Sequence, residues 1–118
     1  MLSYKNRFHG HGSLRYVYKN GQAERTHLIT MKHIANPRRK QSRVAVVISK
    51  KVLKSAVRRN LVRRRVYECI RHELPDLDRP TDIAIIVVSS EIVSMPHEEL
   101  QQLIAQLLTA ANLYKKQA

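Results

Sequence analysis

Carboxylates are almost missing from the first half of this chain. Residues 1–67 hold one acid, Glu24, against 18 Lys and Arg, a net of +17, whereas residues 68–118 hold eight acids against four Lys and Arg, a net of −4. A protein-only nuclease that holds metal through carboxylates needs acids beside its basic groove, and the basic half offers one. Cysteine is as scarce: the single Cys69 excludes an internal disulfide and a Cys cluster for zinc, and it fits a reducing cytosol. Trp is absent and Phe8 is the only Phe, so the aromatic anchors of an interfacial membrane helix are lacking. No apolar run approaches the roughly 20 residues that span a bilayer, and Met1-Leu2-Ser3-Tyr4-Lys5 lacks the apolar segment of a secretory signal. Gly10, Gly12 and Gly21 are the only glycines; none follows an apolar strand, so there is no phosphate-cradling loop. No HExxH and no nucleophile with a partnered base is present. The expectation is a cytoplasmic protein with no membrane partner, no metal of its own and no catalytic side chain.

What is there is positive charge in one place. The net charge is +13 with a pI near 10.5, and Lys50–Arg65 carries eight of the 22 Lys and Arg with no acid. Such a stretch reads first as nucleic-acid binding. A hydrophobic fraction of 43% over 118 residues supports one domain, 1–118, with one modest core. Residues 1–10, polar and rich in Gly and His, read as a flexible arm. His9 and His11, at i and i+2 with no acid or Cys nearby, are read as exposed or structural histidines, not ligands.

Along the chain, Ser13 is placed to N-cap a short helix, Leu14–Asn20, that Gly21 ends. Leu14, Val17 and Tyr18 share one of its faces, and Tyr18 can stack on a base at an RNA-facing edge. Thr26–Ile34 and Ser42–Ser49 read as strands joined through the basic turn 36–41 into a hairpin. The second, nearly all apolar, is expected to be buried on both faces. A helix follows from Ser55 to Glu73, stopped by Pro75. At 100° per residue Val62, Val66, Cys69 and Ile70 form its buried stripe. Arg59 and Arg63 border the stripe on one side and Arg58 and Arg65 on the other. Leu61 and Val57 fall nearly opposite it. Thr81–Val88 is a third, buried strand, parallel to the second through a βαβ crossover. The last helix opens at Met95–Glu99 and turns Leu100, Leu103, Ile104, Leu107, Leu108 and Ala111 inward. The order α-β-β-α-β-α gives an α+β, two-layer sandwich on a small mixed sheet.

The basic stretch suits a polyanion. Arg forks pair bidentately with phosphate and Lys adds point charge, so Lys50, Lys51, Lys54, Arg58, Arg59, Arg63, Arg64 and Arg65 are candidate RNA contacts. Asn60, able to donate and accept, can read a base or ribose edge. Two other classes stay open on these residues: a ribosomal or general RNA-binding module, and a stand-alone nuclease using an acid such as Asp82.

Ser49-Lys50-Lys51-Val52, then Ala56-Val57-Arg58-Arg59-Asn60, then Arg63-Arg64 and Glu68, resemble the signature of the bacterial ribonuclease P protein component. Leu14-x-x-Val17-Tyr18-x-x-Gly21 is similar to that family's N-terminal F-x-x-V-F-x-x-G. The resemblance implies the protein subunit of a ribonucleoprotein endoribonuclease whose RNA, with Mg²⁺, performs the hydrolysis that removes 5′ leaders from precursor tRNA. It implies that Arg58, Arg59, Asn60, Arg63 and Arg64 contact the catalytic RNA, flanked by Lys50 and Lys51. Leu14, Val17 and Tyr18 would line a cleft for the single-stranded leader, between the first helix and the sheet. It also implies a left-handed crossover through the basic helix, against the usual rule. Leu61 stands where the family carries an Arg, and Arg58 and Arg65 are the residues placed to supply that charge.

Overall fold

The computed structural model describes residues 11–115. Its elements are α1 (His11–Asn20), β1 (Gln22–Arg25), β2 (Ile29–Ala35), β3 (Arg43–Ile48), α2 (Ala56–Glu73), β4 (Thr81–Val87) and α3 (His97–Ala110). Single 3₁₀ turns at Leu74–Asp76 and Ser90–Ser94 precede β4 and α3. The sheet order is β1-β2-β4-β3. β2 is antiparallel to both neighbours, and β3 runs parallel to β4.

Register sorts the strands into two faces. Met31 of β2, Ile85 of β4 and Val46 of β3 stand in one row across the sheet. Their face, with Ile29, Ile83, Val87, Val44 and Ile48, forms one core with Val62, Val66, Cys69 and Ile70 of α2 and Leu100, Ile104, Leu107 and Leu108 of α3. The opposite face carries Lys32, Ala84 and Ala45 in the adjacent row. The short helix α1 lies on this side, against β2 and β4, and seats the fully buried Val17 there. Its seat requires Gly21: the Gly21 amide donates to the Val17 carbonyl at 2.8 Å. A Cβ at Gly21 would come within 2.6 Å of that oxygen and 3.0 Å of the His33 carbonyl. Because α1 covers only two strands, Ala45 and Val47 of β3 stay half-buried beside it, and Ile86 of β4 is half-buried as well.

The structure departs from the sequence reading in five places. Three strands, not two, precede α2. β1 is Gln-Ala-Glu-Arg, without one β-branched or aromatic residue to signal it, and it exists by pairing with β2. Thr26, expected inside a strand, makes the turn: its Oγ1 accepts from the amides of Leu28 and Ile29 at 3.3 and 3.0 Å. β2 and β3 are not a hairpin. β4, buried at six of its seven positions, takes the place between them, since the most apolar strand loses least in the centre of the sheet. β3 is therefore an edge strand, with Ala45 and Val47 only half-buried instead of covered on both faces. Finally, α1 begins at His11, so Ser13 lies inside it and is not its cap. The expected arm, residues 1–10, lies outside the described residues.

Candidate nucleic-acid interface

The basic stretch folds as two connected pieces. The amides of Val52 and Leu53 both donate to the Ser49 carbonyl at 3.1 Å, a turn anchored by the buried Leu53 that leaves Lys50 and Lys51 exposed. Lys54 follows, exposed, and Ser55 caps α2 by accepting from the Arg58 amide at 3.3 Å. The four residues expected in the buried stripe, Val62, Val66, Cys69 and Ile70, are the four buried residues of α2. Burial raises the pKa of the Cys69 thiol, which makes it a core residue and not a nucleophile.

Around that stripe the cations differ in how they are held. Arg59 donates through Nη1 to the carbonyls of Leu53 and Lys54 at 2.8 and 2.9 Å, tying the lysine turn to the helix. Arg63 donates to Asn60 Oδ1 at 2.7 Å, which orients the amide of Asn60 and uses its acceptor. Arg58 and Arg64 are exposed and form no ion pair among the described residues. Arg65 instead reaches across to the segment before α3. Its guanidinium donates to the carbonyls of Ile92 at 3.2 Å, Val93 at 3.4 Å and Met95. Arg65 is thus a strap between elements. Leu61 and Val57, 53% and 70% exposed, stand on the outward face as the 100° spacing places them.

Helix α2 places this charge against its own interest. Its first turn contains no acid but does contain Arg58 and Arg59. Cations at the positive end of a helix dipole cost about 0.3–1 kcal/mol each, and the Arg59–Arg63 pair at i,i+4 adds a few tenths. A bound polyanion reverses the sign of these terms.

On the other side of the sheet, Leu14 and Tyr18 are half-buried, while Val17, expected to line a cleft, is wholly enclosed and seats the helix instead. Lys32 donates through Nζ to the Tyr18 carbonyl at 2.9 Å, and its ammonium stands 5.7 Å from the Tyr18 ring centre. Burial raises the pKa of the Tyr18 hydroxyl. The aromatic ring that lies most open on α1 is Tyr16. Sequence reasoning passed over it because it falls off the 14, 17, 18 stripe, which is the very property that exposes it.

Asp82 is occupied structurally. Arg43 grips it through Nε–Oδ1 at 3.0 Å and Nη2–Oδ2 at 2.7 Å, and Asn36 donates to Oδ2 at 3.0 Å. Both ion-pair partners are buried, and they sit side by side in the β3–β4 register. A carboxylate so enclosed orders the end of the sheet and is not placed as a general base. Among the described residues no three His, Cys, Asp or Glu side chains converge as metal ligands would, and no helix is long and apolar enough to cross a membrane.

This arrangement, a basic helix on one side of the sheet and a short helix across the other, has counterparts. A family model described as Ribonuclease P matches residues 2–112. The chain is 38% identical over 80 residues to the Ribonuclease P protein component of Chloroflexus aurantiacus; the match covers 68% of this chain and spans 58% of the relative's length. It is 27% identical over 112 residues to the one from Bacillus velezensis, covering 95% of this chain and 94% of the relative. Among solved structures, an RNase P protein mutant of Staphylococcus aureus with defective mRNA degradation activity superposes with a TM-score of 0.82 at 21% identity, over 92% of this chain and 90% of that one. The RNase P protein from Thermotoga maritima gives 0.71 at 22% identity, over 81% and 89%. On the family match and the curated relatives, the chain belongs to the ribonuclease P protein component family.

Proposed function

We propose that this protein is the protein subunit of ribonuclease P. It binds the catalytic RNA through Lys50, Lys51, Lys54, Arg58, Asn60, Arg63 and Arg64, with Arg59 holding the lysine turn in place. The complex removes the 5′ leader from precursor tRNA. The observation that carries this reading is the acid-free, cation-loaded first turn of α2, which a free protein would disfavour and an RNA backbone stabilises. Leu14 and Tyr18, with the half-buried floor of Ala45, Val47 and Ile86, offer a shallow groove for the leader beside α1, where Lys32 can meet phosphate and Tyr18 a base. Mg²⁺ in this scheme belongs to the RNA, which carries the hydrolysis.

Reconstitution tests the proposal. Adding the protein to a bacterial ribonuclease P RNA at low Mg²⁺ should restore precursor tRNA cleavage that the RNA alone does not perform. Binding without restored cleavage would instead make this a general RNA-binding module. Cleavage by the protein alone would make it a nuclease.

A further inference from the structure

A second feature lies at the far end of the sheet from the lysine turn that precedes α2. Where β2 ends and β3 and β4 begin, Tyr16 of α1 and the turn 36–39 enclose an open groove of about 740 Å³. That volume is within the roughly 300–1,000 Å³ of ordinary ligand sites. Tyr16 is 57% exposed, a large aromatic ring presented to solvent. Facing it are Pro37, Arg38 and Arg39, all exposed; neither guanidinium makes an ion pair among the described residues.

The turn that carries them is fixed from below. The Asn36 amide donates to the Pro80 carbonyl at 2.9 Å, and the Arg39 amide donates back to the Asn36 carbonyl at 3.1 Å. The Asn36 side chain is bound to Asp82 at 3.0 Å, itself clamped by the buried Arg43. A rigid floor therefore supports two Arg forks opposite one aromatic plate. The groove is separate from the one beside Tyr18: Tyr18 meets Lys32 in mid-strand, whereas Tyr16 meets the end of β2 and the turn beyond it. It is also separate from the start of α2, since the six residues of β3 put about 20 Å between the two ends of the sheet.

We infer that this groove is a second RNA site, which takes one unpaired nucleotide by stacking its base on Tyr16 and pairing its phosphate with Arg38 and Arg39. An aromatic face and guanidinium forks together recognise a single-stranded nucleotide without regard to sequence, and Arg fits phosphate bidentately. The inference rests on the proposed function only for the class of partner. It gives the protein two separate grips on RNA, one on backbone charge and one on an unstacked base.

The chain contains no Trp, so Tyr16→Trp introduces a lone reporter. Titrated with a single-stranded oligoadenylate RNA, that variant should lose emission as the base stacks. A duplex RNA, bound through its phosphates, should leave the emission unchanged. Tyr16→Ala, at a position too exposed to matter for folding, should weaken oligoadenylate binding about tenfold with the same salt dependence. Arg38→Ala with Arg39→Ala should lower the log–log salt slope by about 0.7, for one lost single-strand phosphate contact. Unchanged emission with oligoadenylate bound, or unchanged affinity in Tyr16→Ala, overturns the site. Binding of the catalytic transcript, which runs through α2, should be nearly indifferent to Tyr16→Ala. If the unaltered protein fails to bind that transcript, the proposed function falls, while oligoadenylate stacking on the Tyr16→Trp variant would leave this groove standing.

Discussion

Helices α2 and α3 do the same work for the core and opposite work at the surface. Each buries four residues against the same face of the sheet. α3 opens with Glu98 and Glu99 in its first turn, where the helix dipole favours them, and shows neutral Gln102 and Gln106 to solvent. α2 opens with Arg58 and Arg59 and no acid, and exposes Leu61 and Val57 besides. The core asks equally much of both helices, so the core does not explain the difference. A helix that meets its packing demand yet breaks the rules of local stability does so for its partner. α3, on the same face of the sheet, keeps those rules.

The comparison is most open to attack where the two helices should be equal. Ile70 in α2 and Ile104 in α3 are both wholly buried. Ile70→Ala and Ile104→Ala should each destabilise the fold by about 2–5 kcal/mol in urea titrations, and neither should alter the salt slope of RNA binding. If the α2 variant cost almost nothing, its stripe would not be part of a shared core. The next largest effect should separate the helices. Replacing Arg58, Arg63 and Arg64 together with Ala should weaken binding to the catalytic RNA about a hundredfold. The same change should stabilise the free protein by up to about 1 kcal/mol, because the clash with the dipole is relieved. Replacing Gln102, Gln106 and Thr109 of α3 with Ala should leave RNA binding where it was. A matching loss from the α3 variant would remove the basis for assigning the interface to α2.

A finer contrast lies within α2. Arg65→Ala removes the strap to the carbonyls of Ile92, Val93 and Met95 and should cost about 1–3 kcal/mol of stability, with the RNA salt slope intact. Arg64→Ala should do the reverse, leaving stability alone and lowering the slope by about one. If Arg65→Ala lowered the slope instead, it would be an RNA contact after all.

That pair marks how far the sequence could be read. The buried stripe of α2 and the exposure of Leu61 follow from 100° spacing alone, and the parallel β3–β4 pair follows from a helix lying between two apolar strands. Which arginine remains available does not follow from composition, since Arg65 is taken up by carbonyls 27 to 30 residues away. The same limit hid β1, whose polar sequence has strand form only through its neighbour, and led to the β2–β3 hairpin, where nearness in the chain was taken for nearness in the sheet. Tyr18 was favoured over Tyr16 by a motif that marks the packed side of α1. What single-sequence patterns convey is which face is buried; which of the remaining polar and aromatic groups are open depends on contacts between distant elements.

The smallest expected effect separates the helices by pH. β1, which α3 packs over, pairs with β2 at Gln22 and His33. The His33 ring is buried, its Nε2 without a hydrogen-bond partner and 3.7 Å from Glu24 Oε1. That is too long for a hydrogen bond but close enough for the carboxylate to act through its charge. Burial lowers the His33 pKa, with Glu24 opposing it, and burial prevails because the neutral ring is what the site encloses. The unfolded chain therefore takes up the proton first as pH falls below about 6.5. Stability should decline from there and level off once the folded ring is also protonated. His33→Gln should flatten that decline in unfolding curves taken between pH 7.5 and 5, and Glu24→Gln should deepen it. Over the same range the guanidinium and ammonium groups of the interface keep their charge, so RNA affinity per folded molecule should stay level. A binding curve that tracked the stability curve would mean that the β1 edge of this sheet and the α2 interface are coupled, and that the division of labour between α2 and α3 is incomplete.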